Sequence, residues 1–578
     1  MDETGRYEQL KQQYIFANES GESDYLGLIG ELVQLRDLEG ENWKPFIDDV
    51  YFLIKNEIEE NRKFPVHPIS FGTSGWRGIL GKDIFCRSVA LVTQAIVNMY
   101  LELDNNDELA AFLGVSDSTE AKSRGCVLGY DNRFGGPRFA HIAGDVLLTE
   151  GFQVYFAGES TTGCLSAAVL EMSAAFSINL TPSHNPLDYG GFKFNAADGG
   201  PAPPEVTSRI TEHTQKLLAE GFLENRELPP EETKFSHMQG VTTIDALECW
   251  KRLVKKGGSF HGLDLDLAIE QFFQQDDIVV AIDAVHGASR LDICRLFHNQ
   301  GSERLILLRD KEDVTFGGVA PEPSWENMQK VVERLSDCKE KFKIGAIIDP
   351  DGDRIRFTDG IREISMNQFG AMAYHFLFVM KGKKGMVAKT VATSNLANNI
   401  AKKLKEEVFE PAVGFKNFKP VIGKALVCFE ESDGITIIGH TPEKDAYIGL
   451  LLALEMVLVT GKTLGEYLSD IEKEFGACFT ARDGVVVAMD TQSMREKLKK
   501  LEQYSVGIRL AVGGDEHHIE EVIDIDGRKM VLDNGSWLMI RPSGTEPKIR
   551  LYVESNTAEG AEELLDLAKK LLADCGLL

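Results

Sequence analysis

Residues 343–354 read KIGAIIDPDGDR, and the architecture follows from them. The run from Lys343 to Ile348 is a buried strand of the kind found in parallel sheets covered by helices. At its end come three carboxylates, Asp349, Asp351 and Asp353, with Gly352 letting the loop curl. Carboxylates packed this closely repel one another unless a cation lies between them, and hard oxygen donors favour Mg²⁺ or Ca²⁺. An EF-hand is excluded by pattern, because its sixth position would be Arg354 rather than Gly and its twelfth Gly360 rather than Glu.

Outward from this strand the same alternation repeats. CVLGYD (126–131), FQVYFAG (152–158), AAFSINLT (174–181), DIVVAID (277–283), RLILLRD (304–310), GMVAKTVAT (385–393) and ALVCFEE (425–431) read as strands, with helices near 137–150 and 204–220. Strands alternating with helices imply βαβ units, and ligands in such sheets gather at the carboxyl ends of strands. The last hundred residues change style. MVLDNGSWLMIR carries Asn534-Gly535 between apolar runs, a hairpin signal, and is followed by the loop RPSGTEPK, strand IRLYVES and a closing helix. That predicts a separate α+β domain. With 578 residues, at roughly 100–200 residues per domain, the chain should hold three or four domains. The expected divisions are an acidic helical extension 1–65, then 66–235, 236–342, 343–475 and 476–578. Within the extension Tyr51–Lys63 reads as an amphipathic helix; no chemistry attaches to it, and it serves for packing or oligomerisation.

A formal charge of −28 argues against general affinity for nucleic acid or anionic membrane. An anionic substrate would then need a locally basic pocket. Nine cysteines are scattered without a CxxC, so neither a disulfide framework nor a zinc site is expected, and a reducing cytoplasm is the simpler setting. The opening MDETGRYEQLKQQ lacks the features of a signal peptide, and the apolar stretch Ile448–Leu454 is cut short by Glu455. A cytoplasmic protein is expected.

Three further segments carry chemistry. In LTPSHNP (180–186), Pro182 and Pro186 bracket Ser183-His184-Asn185 after a strand, which exposes a serine for phosphorylation or nucleophilic attack; alone, Ser and Asn are ordinary turn residues. Lys193, ten residues on, offers a cation for proton transfer or phosphate neutralisation. In IRPSGTEPKIR (540–550), Arg541, Ser543, Thr545, Lys548 and Arg550 surround Gly544, a cradle suited to a phosphate dianion. FGTSGWRG (71–78) is a Gly-rich turn holding Arg77; it matches neither the P-loop nor the dinucleotide fingerprint. A serine, an acidic triad, a phosphate cradle and several cations on separate domains suit phosphoryl transfer to a small anionic substrate.

These segments, in this order, resemble the α-D-phosphohexomutase superfamily, whose members carry T-x-S-H-N-P, D-x-D-x-D-R, E-x-S and R-x-S-x-T loops. The resemblance runs from Phe71 to the C-terminus. It implies a four-domain α/β architecture, three mixed α/β sheet domains and a C-terminal α+β domain, around a central cleft. By resemblance, Ser183 is the phosphorylated serine, and Ser183, Asp349, Asp351 and Asp353 hold one Mg²⁺. Arg77, Lys193 and His184 fall at the acid/base positions, and Arg354 faces the transferring group. Glu430 and Ser432 of FEESDG match the sugar loop, with Lys444 and Lys416 as further contacts. Arg541, Ser543, Gly544, Thr545 and Arg550 grip the non-reacting phosphate.

The implied activity interconverts glucose 1-phosphate and glucose 6-phosphate through a phosphoserine enzyme and a hexose 1,6-bisphosphate. TPSHNPLDYGGFKFNAADGGPA is most like bacterial phosphoglucomutases, while phosphomannomutase, phosphoglucosamine mutase and a non-catalytic sugar-phosphate binder are the alternatives. Two departures stand out: Asp433 where Gly or Ala is usual, a carboxylate that would either bear on the sugar or point away, and Ala446 for the common Gly. His440 lies too late for a catalytic histidine of the sugar loop and is expected to be structural. A monomer or homodimer acting on small hexose phosphates is implied.

Overall fold

The apolar run becomes strand Phe342–Ile348 in a computed structural model that describes residues 2–16, 23–72, 75–231, 234–487, 489–543 and 548–578. It lies in a five-stranded sheet ordered Glu363–Ile364, Ile355–Thr358, Phe342–Ile348, Ile278–Asp283, Leu305–Leu308. It runs parallel to Ile278–Asp283 and antiparallel to Ile355–Thr358. The boundary expected at 342/343 therefore falls inside one sheet. The acidic loop belongs to the second unit, because its strand is hydrogen-bonded into that unit on both sides.

The first sheet is ordered Trp76–Ile79, Tyr189–Asn195, Phe176–Leu180, Cys126–Tyr130, Val154–Glu159, Val241–Thr243. Its last strand lies beyond the expected division at 235, since Val241–Thr243 pairs in parallel with Val154–Phe156. A third sheet is ordered Val408–Phe409, Val387–Lys389, Val427–Glu430, Gly434–Ile437. The C-terminal unit is a six-stranded antiparallel sheet backed by helix Ala558–Asp574. Its hairpin Arg528–Leu532/Trp537–Pro542 turns at Asn534-Gly535, where Gly535 takes φ +82°, the left-handed value this turn requires.

One apolar core runs through the three α/β units, taking in helix Thr162–Met172 of the first, strand Ile278–Asp283 of the second and helix Ala446–Thr460 of the third. That last helix is apolar all round because it is buried all round. Among the described residues no single helix is long and apolar enough to cross a membrane. The N-terminal segment forms helices Glu3–Tyr14, Tyr25–Glu39 and Lys44–Glu60. They bury Leu28, Ile29, Leu32 and Val50, and the short turn Glu41–Trp43 between them buries Trp43, in the core of the first unit, at roughly 1.5–3 kcal/mol per large side chain.

Candidate active site

Three strands from different segments deliver the site at their carboxyl ends. Phe176–Leu180 leads to Ser183, Phe342–Ile348 to Asp349, and Val427–Glu430 ends on Glu430 itself. This is where open α/β sheets place their ligands.

Ser183 is fully buried and holds φ +58°, an uncommon backbone state for a residue with a Cβ. The loop around it is tied down to hold that state. Ser183 N donates to Thr181 Oγ1 at 2.8 Å, and Thr181 Oγ1 donates to Asp131 Oδ2 at 2.7 Å. The Arg133 guanidinium donates to the carbonyls of Ser183 (2.8 Å), Pro186 (2.6 Å), Tyr189 (3.3 Å) and Asn185. So fixed, Ser183 Oγ donates to Asp349 Oδ2 at 2.8 Å and lies 3.3 Å from His184 Nδ1.

The carboxylates of Asp349, Asp351 and Asp353 are buried, with one oxygen of each within 4.8 Å of the others. The loop's own amides curl around the first: Asp353 N and Arg354 N both donate to Asp349 Oδ1 at 3.0 Å. Gly352, at φ +64°, passes so close to Thr161 that a Cβ would lie 2.6 Å from its methyl. Asp351 Oδ2 accepts from Thr162 Oγ1 at 2.6 Å and from Lys193 Nζ, which also donates to Asp353 Oδ2 at 2.6 Å. Lys444 adds a second ammonium 3.0 Å from Asp353. Asp351 Oδ1 and Asp353 Oδ1 remain buried without a hydrogen-bond partner. Orphaned carboxylate oxygens at that depth are costly. Together with Ser183 Oγ they form a hard-oxygen set that fits a small divalent cation.

The charges divide unevenly. Burial, reinforced by Asp351 and Asp353, pushes the Asp349 carboxyl well above its usual range. Burial would raise Asp353 as well, but Lys193, Lys444 and Arg354 outweigh it and hold that group well below. Lys193 is desolvated yet raised by Asp351 and Asp353, so it sits as a fixed ammonium. Burial, then Arg354, brings Arg77 down to about 10, still charged near neutrality. His184 is pushed well below its ordinary value by burial and by Arg354 and Arg77, which keeps its ring neutral. Arg77 Nη1 donates to Asn185 Oδ1 at 2.6 Å, placing its strand against the serine loop.

The third unit brings Glu430, buried and 3.7 Å from Lys444, with Ser432 bonded to it. Asp433 is turned away from this group. At φ +72° it accepts from Arg356 Nη2 at 2.7 Å and Nε at 3.2 Å, so this carboxylate is held in an internal ion pair. Lys416 lies half-buried, and burial lowers it against the pull of Glu205 of the first unit. His440 is a structural group: its Nε2 is 2.6 Å from Asp445 Oδ2, the carboxylate that caps helix Ala446–Thr460 and also accepts from Trp250 Nε1.

In the C-terminal unit Arg541 and Arg550 are direct cross-strand partners. Like charges so placed are destabilising unless an anion lies between them. Asp526 accepts from Arg541 Nε at 2.6 Å and from Val413 N of the third unit at 3.0 Å. Ser543 N donates to Lys548 O at 2.7 Å. Gly544 and Thr545, like Thr73 and Ser74 of the Gly-rich turn, lie outside the described residues.

Several site groups went unnoticed in the sequence. Arg133 and Asp131 follow strand Cys126–Tyr130, and charged residues at that strand's end were a usable signal. Glu443, raised to about 7 by burial against the pull of Lys444 and Lys193, is a buried carboxyl beside those two ammonium groups; Asn195 Nδ2 donates to it at 3.2 Å. Its place before Lys444 carries no distinguishing pattern.

Three α/β units that meet at a buried serine and an acidic triad, with an α+β unit bonded to the third, make the four-domain phosphohexomutase architecture. The chain belongs to the phosphoglucomutase/phosphomannomutase family. It matches the family's alpha/beta/alpha domain I over residues 68–220, domain II over 266–360, domain III over 365–475 and the C-terminal domain over 489–570. It is 28% identical to a cytoplasmic phosphoglucomutase of Mesembryanthemum crystallinum, over 72% of this chain and 82% of that one. It is 26% identical to a phosphomannomutase of Mycoplasma pneumoniae, over 89% and 93%. The crystal structure of a putative phosphomannomutase from Thermus thermophilus superposes with a TM-score of 0.67 at 26% identity, covering 88% of this chain and 99% of that one.

Proposed function

We propose that the protein interconverts glucose 1-phosphate and glucose 6-phosphate through a phosphoserine at Ser183. The observation that carries this is the Ser183 hydroxyl held 2.8 Å from Asp349 at the head of an acidic triad with two buried oxygens that accept no hydrogen bond. Ser183, Asp349, Asp351 and Asp353 would hold Mg²⁺, which when bound offsets charge on the transferring phosphoryl group. The protein's own groups do the rest. The sugar hydroxyl attacks phosphorus, the P–Oγ bond breaks, and the phosphoryl group passes to the hexose to give a 1,6-bisphosphate. Arg77 and His184 are assigned to proton transfer, Lys193, held as an ammonium by Asp351 and Asp353, neutralises phosphoryl charge instead, and Arg354 faces the moving charge. After the bisphosphate reorients, its other phosphate returns to Ser183.

Glu430, Ser432, Lys444 and Lys416 are assigned to the sugar. Arg541, Ser543, Gly544, Thr545 and Arg550 are assigned to the non-reacting phosphate, a fixed grip that accepts either end of the bisphosphate. Relatives named both phosphoglucomutase and phosphomannomutase leave mannose as the second reading. The test is turnover of glucose 1-phosphate with Mg²⁺ and a trace of glucose 1,6-bisphosphate, run beside mannose 1-phosphate and glucosamine 1-phosphate. A higher kcat/KM for glucose supports the proposal. Preference for another sugar moves the substrate and keeps the chemistry, and no turnover on any of the three overturns it.

A further inference from the structure

We infer that the N-terminal helices are a positioning element for the Ser183 loop, acting through Arg36, the turn 313–318 and Arg133. The inference rests on the reading of Ser183 as the reacting group. The match to the family's domain I begins at residue 68, after these helices.

The physical links run in sequence. Helix Tyr25–Glu39 presents Arg36, whose Nη1 reaches Thr315 Oγ1 at 3.3 Å and Asp313 Oδ2 at 3.5 Å. One turn earlier Val33 packs on Gly318, where an added Cβ would come within 2.5 Å of the valine methyl. The turn they grip is stiff. Asp313 Oδ1 accepts from Thr315 N at 2.8 Å and from its hydroxyl at 2.6 Å, Asp313 Oδ2 accepts from Gly317 N at 3.2 Å, and Asn132 Nδ2 donates to Asp313 O at 3.1 Å.

The turn holds Phe316 at φ +54°, fully buried, with the Arg133 guanidinium 4.8 Å over its ring. From the next helix Tyr51 stacks on Phe134, the residue after Arg133, at 4.6 Å. The Arg133 guanidinium is thereby seated on Phe316 and its chain neighbour Phe134 on Tyr51, and both contacts lead back to residues 1–60. Its two terminal nitrogens each donate to two carbonyls of the loop that keeps Ser183 in its left-handed state. A guanidinium makes such a fork only in one orientation, and an aromatic face fixes that orientation.

The experiment compares Arg36→Ala, Arg36→Lys and Phe316→Leu with the wild type in full-length protein. Amide hydrogen exchange is read peptide by peptide, together with kcat, KM and melting temperature. Exchange over residues 183–189 should rise about tenfold in Arg36→Ala and Phe316→Leu, with the rest of the first unit unchanged. In the same variants kcat should fall about three- to tenfold at constant KM, since misplacement of a reacting group acts on the chemical step. Arg36→Lys should recover at least part of both. Unchanged exchange over 183–189, or exchange raised evenly across the first unit, overturns the inference. Locally raised exchange in a protein inactive on every hexose phosphate leaves the coupling standing and overturns the mutase reading instead.

Discussion

The Ser183 hydroxyl donates to Asp349 Oδ2 at 2.8 Å across 166 residues of chain, joining a loop of the first sheet to a loop of the second. Each loop also has supports of its own. The serine depends on Arg133 and Thr181, and the aspartate on the amides of Asp353 and Arg354.

The first prediction removes the hydroxyl. Ser183→Ala keeps the backbone bonds that shape the loop and loses only Oγ, so the fold should survive. Turnover should drop below about a thousandth of wild type, as for loss of a nucleophile. Intact-mass measurement should show the added phosphoryl group in the wild type and not in the variant. Normal activity in the variant would sink the phosphoserine mechanism.

The second concerns the metal. Asp351→Asn preserves size and one oxygen but removes the charge. The Mg²⁺ concentration for half-maximal rate should rise at least about tenfold, and the maximal rate should fall with it. A titration of rate against Mg²⁺ that overlays the wild-type curve would remove Asp351 from the ligand set.

Much of this was legible beforehand because strand ends announce themselves. An apolar run that stops on Thr181 or Asp349 places a polar group at a sheet edge, and local pattern is enough to see it. Arg133 shows only as a charged residue after a strand and Arg356 not at all, because their partners, the Ser183 carbonyl and Asp433, lie 50 and 77 residues away and such long-range bonds leave no periodic trace. The stretch 385–393 was expected as one long strand, yet only Val387–Lys389 pairs. Thr390 and Thr393 hydroxyls bond to Glu431, and Lys389 Nζ donates to Thr393 O at 3.0 Å. Side-chain bonds of that kind compete with the sheet ladder and bend the chain away from it.

The third prediction uses one such hidden pair. Asp433→Ala leaves Arg356 with Glu363 alone, at 2.8 Å. Breaking a buried pair costs about 3–5 kcal/mol, and the surviving bond puts this case near the lower end. Asp433→Gly should lose about 0.4–1 kcal/mol less, because glycine accepts the φ of +72° without strain. Denaturant melts check both values. The ratio of kcat/KM for glucose and mannose phosphates should stay within about twofold, since the carboxylate faces Arg356 rather than the sugar group. A switch in preference would place Asp433 in the specificity set after all.

The last prediction concerns the seam between the third and C-terminal units. Lys529 is buried there, its Nζ donating to Val391 O at 2.9 Å and lying 4.0 Å over the Trp537 ring. Burial, then repulsion from Lys389, lowers its pKa to about 7. In the unfolded chain the same amine titrates near 10.4. Between those values the unfolded state binds more protons than the folded one, so this group makes stability rise with pH from about 7 to about 10. Below that window the buried ammonium is a penalty. Lys529→Met, similar in length and uncharged, should raise the melting temperature at pH 7 and flatten the rise toward pH 10. Melts of both proteins at four or five pH values decide the matter. Parallel curves would mean that Lys529 stays charged in the seam, held by Glu410 and Glu554 more firmly than its burial implies.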